Sequence, residues 1–139
     1  MRTTNPEVLH NVMKQQAWLQ KQMPRVQAAL ERLPALDGVR LACSMHLDIK
    51  MIPFVEGMLA RGAAVYLTTC NPTTVRDEVV AYLVDKGAEA HAWRDMPAAA
   101  YDEAIRRAIA WQPTHLCEMG AAITAVLHHT PPDPFPPLR

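Results

Sequence analysis

The sequence lacks the features that mark several large classes of protein. Its fourteen basic and fourteen acidic residues cancel, so no surplus of charge attracts nucleic acid or an anionic membrane surface. No apolar run reaches the roughly 18 residues that a membrane span needs. The first residues, MRTTNPEVLH, also lack the apolar segment of a signal peptide. We therefore expect a cytoplasmic protein whose partner is a small-molecule metabolite, with no nucleic acid and no membrane involved.

Cysteine is scarce as well. Cys43, Cys70 and Cys117 are odd in number and scattered along the chain, which fits neither a disulfide framework nor a C-x-x-C metal site. Cys43 and Cys117 lie within apolar runs, as small packed hydrophobic side chains do. Free thiols and no bound metal are expected.

What the sequence does contain is a regular alternation of short apolar runs and helical patterns. Half of the 139 residues are apolar, which is enough for one globular unit with a substantial core. Gly62 and Gly87 read as helix stops, each leading into an apolar run. The pattern predicts an α/β fold, with a Rossmann-like open parallel sheet wrapped by helices and preceded by two N-terminal helices. About four strands are expected, near residues 39–45, 64–69, 89–92 and 114–118.

Three regions are predicted along the chain. Residues 1–36 form an N-terminal helical segment, residues 37–130 form the sheet domain, and residues 131–139 form a proline-rich extended tail. Within the sheet domain, the stretch TTVRDEVVAYLVDK is predicted to be a helix that starts at a threonine cap. Its apolar spacing buries one stripe, made of Val75, Val79 and Leu83.

Polar residues recur just after the predicted strands. In open parallel sheets, ligands bind beyond the carboxyl ends of the strands, where loops and helix N-termini gather. A simpler interpretation competes for some of these residues, because Asp48 and Lys50 suit the capping and solvation of the next helix. The polar residues at the four strand ends are His46, Asp48 and Lys50; Cys70 and Asn71; Trp93, Arg94 and Asp95; and Glu118.

Three stretches together resemble one enzyme family. LACSMHLDIKMIPFVEGMLARGAAVYLTTCNPTT, AHAWRDMPAAAYDEAI and QPTHLCEMGAAIT are similar to the N-terminal part of S-adenosyl-L-homocysteine hydrolase, and the likeness runs from about Lys21 to Thr124. The resemblance implies a substrate-binding domain with a Rossmann-like sheet. His46 matches the family's active-site histidine in its HMT motif, and Cys70 with Asn71 matches the CN pair beside the substrate pocket.

Other positions depart from the family pattern. Asp48 stands where the family has a threonine that contacts the adenosine moiety, and Lys50 stands where a Glu or Gln helps to read the adenine edge. The family's DDGGDLT motif becomes EMGAAIT, so Glu118 matches the first aspartate while Met119 replaces the second, a catalytic carboxylate. A thioether cannot accept a proton as a carboxylate does. The candidate substrate-binding residues are therefore His46, Asp48, Lys50, Cys70, Asn71, Glu118 and Met119, and no catalytic residue is assigned.

The resemblance also implies a cofactor that these residues do not supply. The family's reaction begins with hydride transfer to NAD, which is held by a separate domain with a Gly-rich fingerprint. No G-x-G-x-x-G occurs in the 139 residues. The family's catalytic lysine is not matched either, nor is a further aspartate of the family that is distinct from the one at the position of Met119. NAD is thus expected only if a cofactor domain follows or a partner supplies one. Two functions stay open. One is a domain that binds a nucleoside or thioether metabolite but does not hydrolyse it alone. The other is a non-catalytic interaction or regulatory module, for which a homo-oligomer is one expected form.

Overall fold

The sheet has four parallel strands in the order β3-β2-β1-β4. The computed structural model describes residues 5–129, so the predicted tail at 131–139 lies outside the described residues. The strands are β1 Arg40–Met45, β2 Ala64–Thr69, β3 Glu89–Ala90 and β4 His115–Glu118. Each pairing is parallel, with β1 between β2 and β4. The prediction of an open parallel sheet is confirmed.

Helices lie on both faces of this sheet. They are α1 Pro6–Gln22, α2 Pro24–Glu31, α3 Ile52–Ala60, α4 Asp77–Asp85, α5 Ala98–Ala110 and α6 Ala122–His129, with short 3₁₀ turns at Ile49–Met51 and Pro72–Thr74. Alternate residues of a strand point to opposite faces. One face of β1, including Cys43, packs in a core with residues of α1, α3 and α4. The other face, including Ala42, packs with α5 and α6.

Glycines stop the helices at the predicted places. Gly62 and Gly87 have φ of 94° and 109°, a left-handed conformation that costs glycine little and other residues more. Each one turns the chain from a helix into the strand that follows. Gly62 lies two residues before β2, which explains why the start of that strand matches its prediction.

Two boundaries differ from the predictions. The predicted threonine cap of α4 was wrong. The amide oxygen of Asn71 instead caps a separate 3₁₀ turn over Pro72–Thr74. Val75 then returns to an extended conformation before α4 begins. The stripe of Val75, Val79 and Leu83 is nevertheless fully buried, as predicted. β3 is shorter than predicted, because only two of its residues pair with β2 at the sheet edge.

A hydrogen-bonded carboxylate joins α1 to the sheet domain. The Glu56 side chain on α3 accepts from Tyr82 Oη at 2.6 Å and from Gln16 Nε2 at 2.7 Å. Burial raises the pKa of the Tyr82 phenol, and the bond to Glu56 raises it further. The phenol therefore stays a hydrogen-bond donor. Val12 of α1 belongs to the same core as the β1 face, so α1 is held by both apolar and polar contacts.

Replacing Glu56 should loosen this attachment. We expect Glu56→Ala to lower the free energy of unfolding by about 1–2 kcal/mol, because two partly buried donors lose their acceptor. Urea denaturation followed by tryptophan fluorescence measures the change, since Trp18 lies on α1. The matched control is Asp102→Ala on the exposed face of α5, where a change within about 0.5 kcal/mol is expected. Equal losses in the two variants would contradict a joining role for Glu56.

No helix within residues 5–129 is long and apolar enough to cross a membrane.

Candidate functional site

The carboxyl ends of β1, β2 and β4 lie side by side. Met45 is the register partner of Thr69, and Ser44 is the partner of Glu118. Directly beyond these pairs, Cys70 N donates to Met45 O at 3.2 Å and Met119 N donates to Ser44 O at 2.8 Å. The backbone of His46, which follows β1, is therefore flanked by the chain segments that carry Cys70 and Met119. Three of the predicted strand ends meet at one edge.

His46 is held in one tautomer by its neighbour. Its Nδ1 lies 2.9 Å from Thr74 Oγ1, and the Thr74 hydroxyl donates its own proton to the Asn71 carbonyl at 2.9 Å. A hydroxyl has a single proton, so Thr74 must accept from His46, and Nδ1 of the neutral ring carries the hydrogen. Nε2 is then the acceptor nitrogen. The ring is partly exposed, so Nε2 can meet a ligand.

Asn71 is oriented by the turn that it caps. Its Oδ1 accepts from Thr73 N at 3.1 Å and from Thr73 Oγ1 at 2.8 Å, which fixes the plane of the amide. The amide oxygen is thus used locally, and the NH₂ group is the part of the side chain that can donate to a ligand. Next to it, burial raises the pKa of the Cys70 thiol, so Cys70 is a neutral, partly buried neighbour.

Asp48 and Lys50 contact each other at the start of the segment after β1. Asp48 Oδ1 accepts from Lys50 N at 2.8 Å, which caps the 3₁₀ turn, and Asp48 Oδ2 lies 3.4 Å from Lys50 Nζ. The capping interpretation of Asp48 is confirmed. The Lys50 side chain is 68% exposed, so its ammonium group can reorient toward a ligand at modest cost.

Glu118 caps the helix that follows its own strand. Its Oε2 accepts from Ile123 N at 2.7 Å, and its Oε1 accepts from Thr124 N at 3.0 Å and from Thr124 Oγ1 at 2.5 Å. A carboxylate suits this place, because the N-terminal N–H groups and the helix dipole both favour negative charge. The carboxylate that sequence comparison assigned to the ligand is already engaged by α6. Met119, the next residue, is 44% exposed.

The loop between Glu118 and α6 is wound tightly. Gly120 has φ of 92°, and Ala121 has φ of 57°, a conformation that costs a residue with a Cβ roughly 1–2 kcal/mol. The family motif quoted above has glycine at both positions. The Glu118 cap helps to offset the strain at Ala121, because it holds the first turn of α6 in place.

Two kinds of residue at this edge escaped the sequence analysis. Tyr101 of α5 was not among the predicted site residues, yet burial first and then the charges of Cys70 and Glu118 raise the pKa of its phenol, so it lies within electrostatic range of both. Ser44 and Thr68 are register partners, fully buried, and their hydroxyls have no hydrogen-bond partner among the described residues. A serine or threonine within an apolar run was the only signal available for them.

The end of β3 reaches this group only through the segment after β2, where Asp95 N donates to Pro72 O at 3.1 Å. β2 separates β3 from β1, and Arg94 N donates instead to Asp77 Oδ1 of α4 at 2.8 Å. Asp95 adopts φ of 55° and lies 3.7 Å from Arg94 Nε. Trp93, Arg94 and Asp95 thus belong to the far edge of the sheet. Across residues 5–129, no group of three or more His, Cys, Asp or Glu side chains is arranged to hold a metal ion.

The sequence matches one family model and several curated proteins with related names. The family model described as S-adenosyl-L-homocysteine hydrolase matches residues 13–132. The S-inosyl-L-homocysteine hydrolase of Methanopyrus kandleri is 34% identical over 119 residues, which is 84% of this chain and 28% of that protein. The adenosylhomocysteinase of Aeropyrum pernix is 32% identical over 114 residues, 80% of this chain and 27% of that protein.

A second S-inosyl-L-homocysteine hydrolase, from Methanococcus maripaludis, is 28% identical over 114 residues, which covers 80% of this chain and 28% of the relative. The chain thus spans about 28% of the length of the curated relatives that it matches. The three strand ends described above all lie within the matched residues.

Proposed function

The chain belongs to the S-adenosyl-L-homocysteine hydrolase family, and from that premise we propose that it is a substrate-type domain that binds a nucleoside or thioether metabolite. One observation carries this proposal: the segments bearing His46, Cys70 and Met119 are adjacent beyond the ends of three parallel strands. That is where ligands bind in open α/β sheets. The same geometry offers an acceptor at His46 Nε2 and donors at the Asn71 amide and the Tyr101 phenol.

The purine edge of the ligand is proposed to be a 6-oxopurine, as in inosine. Lys50 occupies the position at which the family reads the adenine edge with a Glu or Gln, and an ammonium group only donates hydrogen bonds. Adenine presents an exocyclic amino group there, whereas hypoxanthine presents a carbonyl oxygen, which accepts. Two relatives that carry the name S-inosyl-L-homocysteine hydrolase support this choice. The Asp48 carboxylate next to Lys50 can accept from the N1–H that inosine has and adenosine lacks.

Titration calorimetry with inosine and adenosine tests the ligand class. We expect inosine to bind about tenfold more tightly, a difference of about 1.4 kcal/mol, because one well-placed charged hydrogen bond is made with inosine only. Lys50→Gln should remove the preference. The matched control is Lys86→Gln, since Lys86 lies over the Tyr82 ring at the end of α4, away from the strand ends.

His46→Ala tests where the nucleoside binds, independently of which nucleoside is preferred. This variant should weaken both nucleosides to a similar extent, by about 0.5–1.5 kcal/mol, and leave their ratio unchanged. Equal affinities for inosine and adenosine in the unmodified chain would contradict the role of Lys50. Failure of both nucleosides to bind would contradict a nucleoside site at these strand ends.

NAD does not fit the helix starts at this edge. A dinucleotide places its pyrophosphate on unoccupied N–H groups at a helix N-terminus. Here the Asp48 carboxylate caps the segment after β1, Asn71 caps the turn after β2, and the Glu118 carboxylate caps α6. Two of the three caps carry negative charge and would repel a phosphate. We propose that any NAD is held by a cofactor domain outside these residues or by a partner, and that the chain does not hydrolyse alone.

A second candidate is a non-catalytic interaction or regulatory module that keeps the family fold. Its support is the face of α1, where Trp18 and Met13 are 59% and 51% exposed, and the engagement of Asp48 and Glu118 in caps rather than in open contacts. A homo-oligomer formed through α1 is the expected form of this module. The nucleoside titration discriminates, because this candidate requires no nucleoside affinity.

A further inference from the structure

Two cysteines face each other across neighbouring strands at the edge of the sheet. Cys43 of β1 and Cys117 of β4 are Cα partners in the parallel register, so their side chains lie on the same face. Cys43 is fully buried, while Cys117 is partly exposed because β4 is an edge strand. The pair thus combines one sulfur that solvent can reach with one that only its neighbour can reach.

The two thiols are electronically different. The neighbouring Cys43 thiol lowers the pKa of Cys117 to about 7. The Cys117 side chain, together with burial, raises the pKa of Cys43. A thiolate rather than a thiol is the nucleophile in disulfide exchange. Cys117 is therefore the attacking group at neutral pH, and Cys43 is the group that reacts second.

The backbone spacing permits a bond between them. Neighbouring strands lie about 4.7–4.9 Å apart, which falls inside the roughly 4.4–6.8 Å range of Cα separations in disulfides. It lies below the commonest value of about 5.5–6 Å, so the bond would form under some strain. Strained disulfides are the ones most easily reduced again. Reversible rather than permanent oxidation is therefore the expected behaviour.

We propose that Cys43 and Cys117 form a two-cysteine exchange site that takes up a small-molecule disulfide and becomes a cross-strand disulfide. The Cys117 thiolate attacks one sulfur of the reagent, which breaks the reagent's S–S bond and releases one of its halves as a thiol. The buried Cys43 sulfur then attacks the Cys117 sulfur, which forms the protein disulfide and breaks the bond to the second half. That half leaves as a thiol that carries the Cys43 proton. The two protein thiols lose two electrons and two protons, and the reagent gains both as two thiols.

Oxidised glutathione is the probe that tests this site on the full chain. After incubation at pH 7 and digestion without reductant, mass spectrometry should find Cys43 linked to Cys117 in the unmodified protein, and dithiothreitol should reverse the link. Cys70→Ser is the matched control and should leave this outcome unchanged. In Cys43→Ser the reaction should stop at a glutathione adduct on Cys117, and in Cys117→Ser no adduct should form at the buried Cys43.

The experiment on the unmodified chain tests the proposal even if a variant folds poorly. Circular dichroism would reveal such a folding defect. A stable glutathione adduct on Cys117 with Cys43 still reduced would overturn the proposal. So would a disulfide that involves Cys70, or the recovery of all three cysteines unmodified under conditions that oxidise a free dithiol.

Discussion

Purified chain supplied with NAD and S-adenosyl-L-homocysteine is expected to release no homocysteine above the uncatalysed rate. Enzymes commonly accelerate their reactions by about a millionfold or more, so the expected loss relative to a complete enzyme of the family is at least roughly six orders of magnitude. Three features account for it. Met119 replaces a carboxylate of the family motif with a thioether that cannot accept a proton, the capped helix starts are proposed to repel a dinucleotide, and residues 5–129 form no interdomain cleft that would exclude water.

Chromatographic detection of homocysteine is the appropriate measurement, because a thiol reagent would also report the three cysteines of the chain. A complete adenosylhomocysteinase serves as the positive control. Met119→Asp restores the carboxylate of the family motif and should remain inactive, since we propose that NAD is held outside these residues. Homocysteine formation proportional to chain concentration would refute the proposed inactivity. Activity in Met119→Asp alone would show that the carboxylate, and not the cofactor domain, was the missing part.

Glu118→Ala should lower the free energy of unfolding by about 2–3 kcal/mol. The carboxylate accepts two backbone N–H bonds and one hydroxyl bond at the start of α6, and hydrogen bonds to a charged group are worth more than neutral ones. The cap also positions Ile123, which is fully buried in the core of the α5 and α6 face. Loss of the cap should therefore loosen that core together with the loop at Ala121.

Urea unfolding of three variants would separate the causes. Glu118→Gln keeps the shape of the side chain and loses its charge, so an intermediate loss is expected. Glu103→Ala removes an exposed carboxylate paired with Arg107 on α5 and should change stability little, because solvent screens an exposed ion pair. An effect of Glu118→Ala no larger than that of Glu103→Ala would contradict the capping role, and would leave the carboxylate available for a ligand.

Local patterns in the sequence determined the sheet and most of its helices. The central strands β1 and β2 have continuous apolar runs because both of their faces are buried, and Gly62 and Gly87 stop the preceding helices because only glycine adopts a large positive φ cheaply. These signals depend on neighbouring residues alone, so a single sequence contains them. The short β3 and the late start of α4 were mispredicted, because edge pairing and the Asn71 cap compete with propensity there.

The residues at the strand ends can be divided in the same way, into features set by the sequence and features set by the tertiary structure. The amino-acid sequence alone determined that polar residues follow β1, β2 and β4, and that Lys50 and Met119 break the family pattern. Only the tertiary structure decided that Glu118 caps α6, that Tyr101 lies near Cys70, and that Cys43 opposes Cys117. The last two depend on how segments far apart in the chain pack and pair, and register is set by the packing of whole faces against one another. The Glu118 cap spans only five to six residues, and it needs the tight turn at Gly120 and Ala121. A shift of one residue in β4 would place Cys117 on the opposite face and abolish the pair.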